Sequence, residues 1–278
     1  MMQLLFFCPR WGQAHISWDE FAHRVKASGY DGIETDIPEQ ESEKQMLLET
    51  LANYDLKLIA QHWETIDADF DLHKSAYKKR LKRMAAVKPL FINSQTGKDF
   101  FSANQNEELI SIADHLSSST GIPVYHETHR GKFSFAAHIT KEFLQRSQSL
   151  QLTLDISHWI AVAESFLEDQ DEAVNLAVSR TRHVHARVGF TEGPQVPDPR
   201  AEWWQDALQV HLECWDKVVS VNRNADHTML TFTPEFGPPP YMPLAPSTGL
   251  PVVDQWEVNV YMMKLLKERW KATIEHDQ

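Results

Sequence analysis

The sequence predicts an α/β protein, a single (β/α)8 TIM barrel that spans residues 1–278. Two observations support this prediction: eight short β-like runs alternate with helix-length amphipathic stretches, and neither a change of composition nor a low-complexity linker interrupts them. Parallel strands need crossover helices, and closing the sheet removes both of its edges. The main alternative is an open doubly wound sheet, but residues 8–12, after the first strand, form no glycine-rich dinucleotide turn.

The predicted strands are short runs rich in apolar residues. In chain order they are residues 4–8, 32–35, 58–61, 90–93, 123–126, 152–155, 183–187 and 229–233. The helical segments between them are residues 18–28, 43–54, 72–87, 106–119, 136–147, 161–179 and 204–221. Asp254 is the expected N-cap of a last helix that runs towards Trp270. Two proline-rich loops, 189–203 and 236–252, follow the last two strands, so we expect both on the catalytic face.

Charge and composition narrow the function classes. The chain has 27 basic and 39 acidic residues, a formal charge of −12, which argues against nucleic-acid binding. The densest basic stretch, residues 78–83, falls on a predicted helix and is expected to be a solvated face. Two cysteines exclude a disulfide framework and a cysteine-built zinc site. No run approaches the roughly 18 apolar residues of a membrane span, so we expect a soluble, cytoplasmic protein.

Polar side chains of the metal-ligand type stand at the ends of four successive strands. They are Glu127, Asp155, His185 and Glu235. The C-terminal strand ends of a TIM barrel carry its active site, so these side chains are expected to meet. Three carboxylates in one site repel each other and are costly to desolvate. A divalent cation with oxygen and imidazole ligands would offset both costs.

Each of these residues also has a structural explanation of its own. Glu127 could form a salt bridge with Arg130, and Asp155 could cap a following helix. His185 could be a hydrogen-bonded core histidine, and Glu235 could begin a solvated turn. The joint pattern at four successive strand ends favours a metal site.

Three motifs, together with the glutamate that ends strand five, resemble one family. They are Asp155-Ile156-Ser157-His158, His183-Val184-His185 and Pro234-Glu235-Phe236-Gly237. The pattern resembles the xylose isomerase-like TIM barrel superfamily of sugar isomerases, epimerases and apurinic-site endonucleases, over nearly the whole chain. The resemblance is specific for the superfamily and weak for the reaction.

The resemblance implies a site with one divalent ion, manganese, magnesium, cobalt or zinc. The implied ligands are Glu127, Asp155, His185 and Glu235. Glu127 and Glu235 would also exchange the substrate proton, through an enediolate. His183 shares a face with His185, so the choice between the two imidazoles stays open, with His183 expected to be the deeper, structural residue.

Several further residues are expected to contact the substrate. The resemblance implies His158 and places His62 near the substrate, with Glu34 expected to orient His62. His129 follows the proposed ligand Glu127 and is expected in the same site. Guanidinium groups can hold a carboxylate or phosphate, which makes two arginines candidates. They are Arg187 and Arg200, the second on a proline-rich loop expected to close over the metal.

The predicted function is a metal-dependent isomerase or epimerase of carbohydrate metabolism, with a small-molecule carbohydrate as its partner. One alternative is an apurinic-site endonuclease, for which His62 and Asp198 speak. The fourth strand, at residues 91–95, lacks the histidine that would then be expected. Arg200, which cannot ligate a metal, stands where a partner histidine of Asp198 would be expected. Another alternative is a non-catalytic barrel that binds a sugar or a partner protein. No nucleic acid or membrane is expected, and a homo-oligomer is left open.

Overall fold

Eight parallel strands close into a barrel in the order β1 to β8, so the predicted (β/α)8 architecture is confirmed. The structure is a computed structural model that describes residues 2–225 and 227–271. The strands are β1 (Gln3–Pro9), β2 (Gly32–Thr35), β3 (Lys57–His62), β4 (Ile92–Ser94), β5 (Val124–Glu127), β6 (Leu152–Leu154), β7 (Thr181–His185) and β8 (Met229–Thr233). The barrel closes through parallel pairing of β1 with β8.

Nine α-helices lie in the described part of the chain. They are α1 (Trp18–Ser28), α2 (Glu41–Asn53), α3 (Phe70–Ala86), α4 (Ala103–Thr120), α5 (Ala137–Arg146), α6 (Ile156–Ala163), α7 (Asp171–Arg180), α8 (Gln205–Asn224) and α9 (Gln255–Arg269). A single 3-10 turn, Glu202–Trp204, precedes α8. Asp254 caps α9 as predicted, because its side chain accepts a hydrogen bond from the Glu257 backbone N–H at 3.0 Å.

The segment after β6 differs from the prediction. Instead of one helix over residues 161–179, the chain forms α6 and α7. Asp155 caps a helix that begins at once, and this helix ends at Glu164, whose φ of 50° lies in the left-handed region. Leu167 is also left-handed, with a φ of 67°, so the backbone turns twice before α7 begins. The early cap therefore places His158 in the first turn of α6, next to the strand ends.

The apolar core has two parts. The larger one lies between the strands and the surrounding helices, and a small separate cluster consists of Phe7, Ile59 and Phe91. The ring of Phe7 has room because Gly32, on the neighbouring strand, has no side chain. A Cβ there would lie 2.4 Å from both Phe7 Cε1 and Lys57 O. The Phe91 ring lies 5.1 Å from the ring of His183, so this cluster meets the polar residues described below.

The two proline-rich loops follow β7 and β8, at the C-terminal end of the barrel. They are joined by Gln195, whose amide accepts from Gly237 N at 2.7 Å and donates to Gly237 O at 3.2 Å. No helix in the described residues is long and apolar enough to cross a membrane. The single domain over residues 1–278 stays a prediction, and Met1, Asp226 and residues 272–278 lie outside the described part.

Candidate functional site

The structure brings together the four predicted metal ligands. Glu127 ends β5, Asp155 directly follows β6, His185 ends β7 and Glu235 lies two residues after β8. All four side chains are buried, and each offers one ligand atom within 4.8 Å of the others. These four residues are called the upper layer below. Convergence of the strand ends is what makes the cluster possible, because the residues are far apart in sequence.

His185 presents one nitrogen to the centre of the upper layer. Its Nε2 lies 3.0 Å from Glu34 Oε1, while its Nδ1 is buried without a hydrogen-bond partner. Nδ1 lies 3.0 Å from Glu235 Oε2 and 3.6 Å from Glu127 Oε1. A neutral imidazole that donates from Nε2 to a carboxylate keeps its lone pair on Nδ1, as metal-bound histidines do. The orphaned Nδ1 therefore fits a metal ion among these carboxylates.

Glu34 anchors a second set of polar residues beneath the upper layer. Its Oε2 lies 3.1 Å from His183 Nε2 and accepts the hydroxyl hydrogen bond of Thr233. His183 Nδ1 lies 2.7 Å from Thr231 Oγ1, so both of its nitrogens have partners. Glu34, His183, Thr231 and Thr233 are called the lower layer. The expectation that Glu34 orients His62 is wrong, because Glu34 contacts the two imidazoles of β7 instead.

The ionisation of Glu34 and His185 is set by their mutual contact. Burial alone would raise the pKa of Glu34, but the imidazoles of His185 and His183 hold it well below its ordinary value. Burial would lower the pKa of His185, yet the carboxylates of Glu235, Glu34 and Glu127 raise it well above its ordinary value. Without a metal ion, the site thus attracts a proton to His185.

Amide groups hold the two predicted catalytic glutamates. Gln61 donates to Glu235 Oε1 at 2.9 Å, and Gln95 donates to Glu127 Oε1 at 3.3 Å. Asn93 donates to Glu127 Oε2 at 3.2 Å. Burial would raise the pKa of Glu127, but His185 lowers it to about 2. The sequence analysis did not predict either glutamine as a site residue. Each is nevertheless a polar residue at the end of a strand, since Gln61 is the second-last residue of β3 and Gln95 directly follows β4.

Arg187 supplies positive charge to the upper layer. Its Nη2 donates to Asp155 Oδ2, and its Nη1 lies 3.7 Å from Glu235 Oε2. Asp155 Oδ1 also accepts from the Ser157 backbone N–H at 3.1 Å, which makes the residue both a helix cap and a member of the cluster. Burial raises the pKa of Asp155 to about 6 in spite of the guanidinium.

A cavity of about 480 Å³ opens beside the upper layer. Aromatic side chains of Trp11, Trp63 and Tyr241 line it, together with Glu235 and Arg187. Trp11 and Tyr241 touch edge to face, with ring centroids 5.1 Å apart. A cavity of this size suits a small molecule, and flat apolar walls with a few converging polar groups are typical of such sites.

Comparison with solved structures places this geometry in a known fold. The chain is similar to the 3-keto-D-glucoside 4-epimerase YcjR of E. coli, with 12% identity over 96% of this chain and 100% of that one and a TM-score of 0.60. It is similar to endonuclease IV of Thermus thermophilus, with 11% identity over 96% and 99% and a TM-score of 0.59. A third similar structure is the probable 3-DHS dehydratase AsbF of Bacillus anthracis, with 16% identity over 96% and 99% and a TM-score of 0.58.

The chain shares the (β/α)8 barrel fold of these three enzymes. The predicted resemblance is thereby confirmed at the level of the fold, which these three enzymes share although their reactions differ. No protein-family model and no curated protein sequence matches the chain.

The barrel places three of the predicted substrate contacts at or near the cavity. His129 and Arg187 line it. His158 is fully buried behind Arg187, with 2.7 Å between its Nε2 and Arg187 Nη2. The proline-rich loops differ in their contribution, since Tyr241 of the second loop lines the cavity and no residue of 189–203 is among the lining residues.

Two other predicted contacts lie elsewhere in the barrel. The ring of His62 is buried between Ser94 Oγ at 3.1 Å and Thr65 Oγ1 at 2.7 Å, and it does not line the cavity. Arg200 forms a two-pronged ion pair with Asp198 at 2.8 and 2.9 Å, also away from the cavity. The nearby acceptor Asp198 holds the guanidinium within its own loop, so the expected position of Arg200 over the metal is not what the structure shows.

Proposed function

We propose that the protein is a divalent-metal-dependent isomerase or epimerase of a sugar or sugar derivative, acting in cytoplasmic carbohydrate metabolism. The observation that carries the proposal is the buried, unpartnered Nδ1 of His185, which faces the carboxylates of Glu127 and Glu235. With Asp155 these residues offer three oxygen ligands and one nitrogen ligand. Manganese, magnesium, cobalt and zinc all accept such ligands.

The roles of the residues follow from this arrangement. A bound divalent ion supplies Lewis acidity, which makes a C–H bond beside a chelated carbonyl more acidic. Glu127 and Glu235 are the proposed catalytic pair: one takes the substrate proton and the other returns it to the opposite face or the neighbouring carbon. The amide donors of Gln95 and Gln61 fix the orientation of the two carboxylates.

Metal content is the first test of this proposal. Protein incubated with manganese and then freed of excess metal is expected to retain one ion per chain, measured by elemental analysis. Asp155→Ala is expected to retain less than a stoichiometric amount, because one ligand is lost. If Asp155→Ala retains as much metal as the unaltered chain, or if the unaltered chain retains none, the site is misassigned and a non-catalytic barrel becomes the better interpretation.

Proton exchange with solvent is the test of the reaction. A panel of ketoses in deuterated water is expected to yield a product with deuterium at the isomerised or epimerised carbon. Glu127→Gln and Glu235→Gln are each expected to abolish the exchange even when metal fills the site. A product without solvent deuterium would indicate a hydride shift. Exchange at the unaltered rate in one variant would make that glutamate a ligand alone.

The apurinic-site endonuclease stays as the second candidate because of the structural likeness to endonuclease IV. Against it, Arg200 ties up the carboxylate of Asp198. Asn93, at β4, donates to carboxylates instead of offering an imidazole. We expect no cleavage of an abasic-site duplex by the manganese-loaded protein beyond that of Glu127→Gln. Cleavage well above that background would favour the nuclease.

A further inference from the structure

His158 lies between two guanidinium groups. Its Nδ1 is 3.1 Å from Arg130 Nε, and its Nε2 is 2.7 Å from Arg187 Nη2. A neutral imidazole has one acceptor nitrogen, and a protonated one has none. Whatever the protonation state of His158, at least one of the two contacts therefore sets an N–H group against another N–H group. Because Arg130 Nε donates to His158 Nδ1, the contact between His158 Nε2 and Arg187 is the one without an acceptor.

Arg130, which is exposed, is the arginine without a carboxylate partner. Arg187 has the shorter contact to His158, and it is also paired with Asp155. No carboxylate among the described residues lies within 4.0 Å of the Arg130 guanidinium. Its remaining side-chain contact is the hydroxyl of Tyr241, at 3.4 Å. Arg130 thus carries a charged fork of donors with no matching anion.

The surroundings of Arg130 border the cavity. The His129 ring lies 3.9 Å from that of His158 and lines the cavity. Lys132, on the same loop, is buried, with an exposed fraction of 6%, and forms no ion pair with any described residue. The ring of Tyr241 lies 4.8 Å from Arg187 Cζ and 5.8 Å from Arg130 Cζ, so it bridges the two guanidinium groups.

We propose that Arg130 and Arg187, with His129, form a subsite for an oxyanion group of the substrate, a carboxylate or a phosphate ester. The proposal rests on the proposed function and narrows its substrate class to acidic sugar derivatives. An oxyanion bound there would give Arg130 an anionic partner, which it lacks among the described residues, since guanidinium forks match carboxylate and phosphate oxygens. Arg187 also reaches Glu235, so the oxyanion would lie next to the proposed catalytic pair.

A second metal ion is the competing occupant of this region. Glu127, His129 and His158 offer ligand atoms within 4.8 Å of one another. Both nitrogens of His158 face guanidinium groups, however, and these repel a cation at that place. We therefore expect one metal ion per chain and an anion beside it.

The test compares three ligands that share one carbon chain. D-fructose, D-fructose 6-phosphate and D-fructuronate are titrated into the manganese-loaded protein by calorimetry, with inorganic phosphate as the smallest probe. At least one of the two acidic sugars is expected to bind about tenfold or more tightly than D-fructose, the equivalent of one hydrogen bond to a charged group. The better of the two identifies the oxyanion as phosphate or carboxylate.

Arg130→Gln is expected to remove this preference, and Arg130→Lys to restore part of it, because lysine keeps the charge without the fork. Arg146→Gln, an exposed arginine of α5, is the matched control and should behave as the unaltered chain. Manganese affinity is expected to be the same in all variants, which also reports that they fold.

Each of four results would overturn the proposal. One is equal binding of D-fructose and both acidic sugars, another is a full anion preference in Arg130→Gln, and the third is a second manganese ion per chain. If no acidic sugar binds and inorganic phosphate binds Arg130→Gln as well as the unaltered chain, it is overturned too. Failure of the proposed function would appear separately, as missing manganese or missing deuterium exchange with Arg130 intact.

Discussion

The upper and lower layers each combine a histidine with carboxylate chemistry, yet they differ in how far the hydrogen-bonding atoms of that histidine are satisfied. In the lower layer, His183 has partners for both nitrogens and Glu34 accepts hydrogen bonds on both oxygens. In the upper layer, the Nδ1 of His185 has none, although it is equally buried. Buried polar atoms are rarely left unpaired unless something else binds them.

The difference separates a structural role from a ligand-binding one. Glu34 connects the layers, because its Oε1 contacts His185 and its Oε2 contacts His183. The lower layer can thus fix the orientation and the tautomer of His185 without contacting the ligand. Carboxylate partners of this kind are typical of metal-binding histidines.

Removing each histidine in turn tests whether the two layers have different roles. His185→Ala is expected to weaken manganese binding by more than about 100-fold, beyond the usual loss for a residue that only supports a ligand. His183→Ala is expected to cost about 3 kcal/mol of unfolding free energy, because Glu34 stays buried with one partner fewer. Its manganese affinity should change by less than about tenfold.

Calorimetric titration with manganese and urea unfolding measure the two effects. The choice between His183 and His185 as ligand is decided by the same data. If His183→Ala loses the metal as completely as His185→Ala does, the two layers are not functionally distinct.

Glu34→Gln tests the link between the layers and should have a smaller effect. A glutamine offers both an oxygen and an N–H₂ group, so it no longer forces the proton of His185 onto Nε2. Manganese affinity is expected to fall by about 10- to 100-fold. In metal-free protein at alkaline pH, where the imidazole is neutral, nitrogen NMR should show a larger share of the Nδ1–H tautomer at His185.

Glu268→Gln, on the exposed side of α9, is the matched control and should change neither readout. An unchanged tautomer and unchanged metal affinity in Glu34→Gln would leave the lower layer without a role in the site.

The fold could be predicted because its signals are local. All eight predicted strands exist, and their ends lie within two residues of the observed ones. The apolar runs mark buried strands, and the regular alternation leaves few topologies besides a closed barrel. The error at residues 161–179 arose because the Asp155 cap and the left-handed Glu164 divide one amphipathic stretch into two helices.

The site was predictable only where strand ends determine position. Glu127, Asp155, His185 and Glu235 meet because parallel strands end at one edge of the barrel. The position of Arg200 depends instead on loop conformation, and its guanidinium pairs with the carboxylate of Asp198, two residues earlier. No local sequence pattern predicts such an ion pair, because it depends on the conformation of the folded loop.

The smallest expected effect concerns pH and follows from the unpaired Nδ1 of His185. Without metal, neighbouring carboxylates raise the pKa of His185 well above its ordinary value, so the imidazole carries a proton near neutrality. A metal ligand must be neutral, so manganese binding has to release that proton. Between the raised pKa and about pH 6, manganese affinity is expected to increase about tenfold per pH unit as pH rises. Below about pH 6, where Asp155 also takes up a proton, the dependence should steepen.

Calorimetry in two buffers of different ionisation enthalpy measures the number of protons released, which we expect to be about one at neutral pH. Manganese binding to His183→Ala should release the same number of protons, because the imidazole that this variant lacks belongs to the lower layer and is not a proposed ligand. Metal binding without proton release would mean that His185 is already neutral or is not a ligand, and the distinction between the two layers would then need another basis.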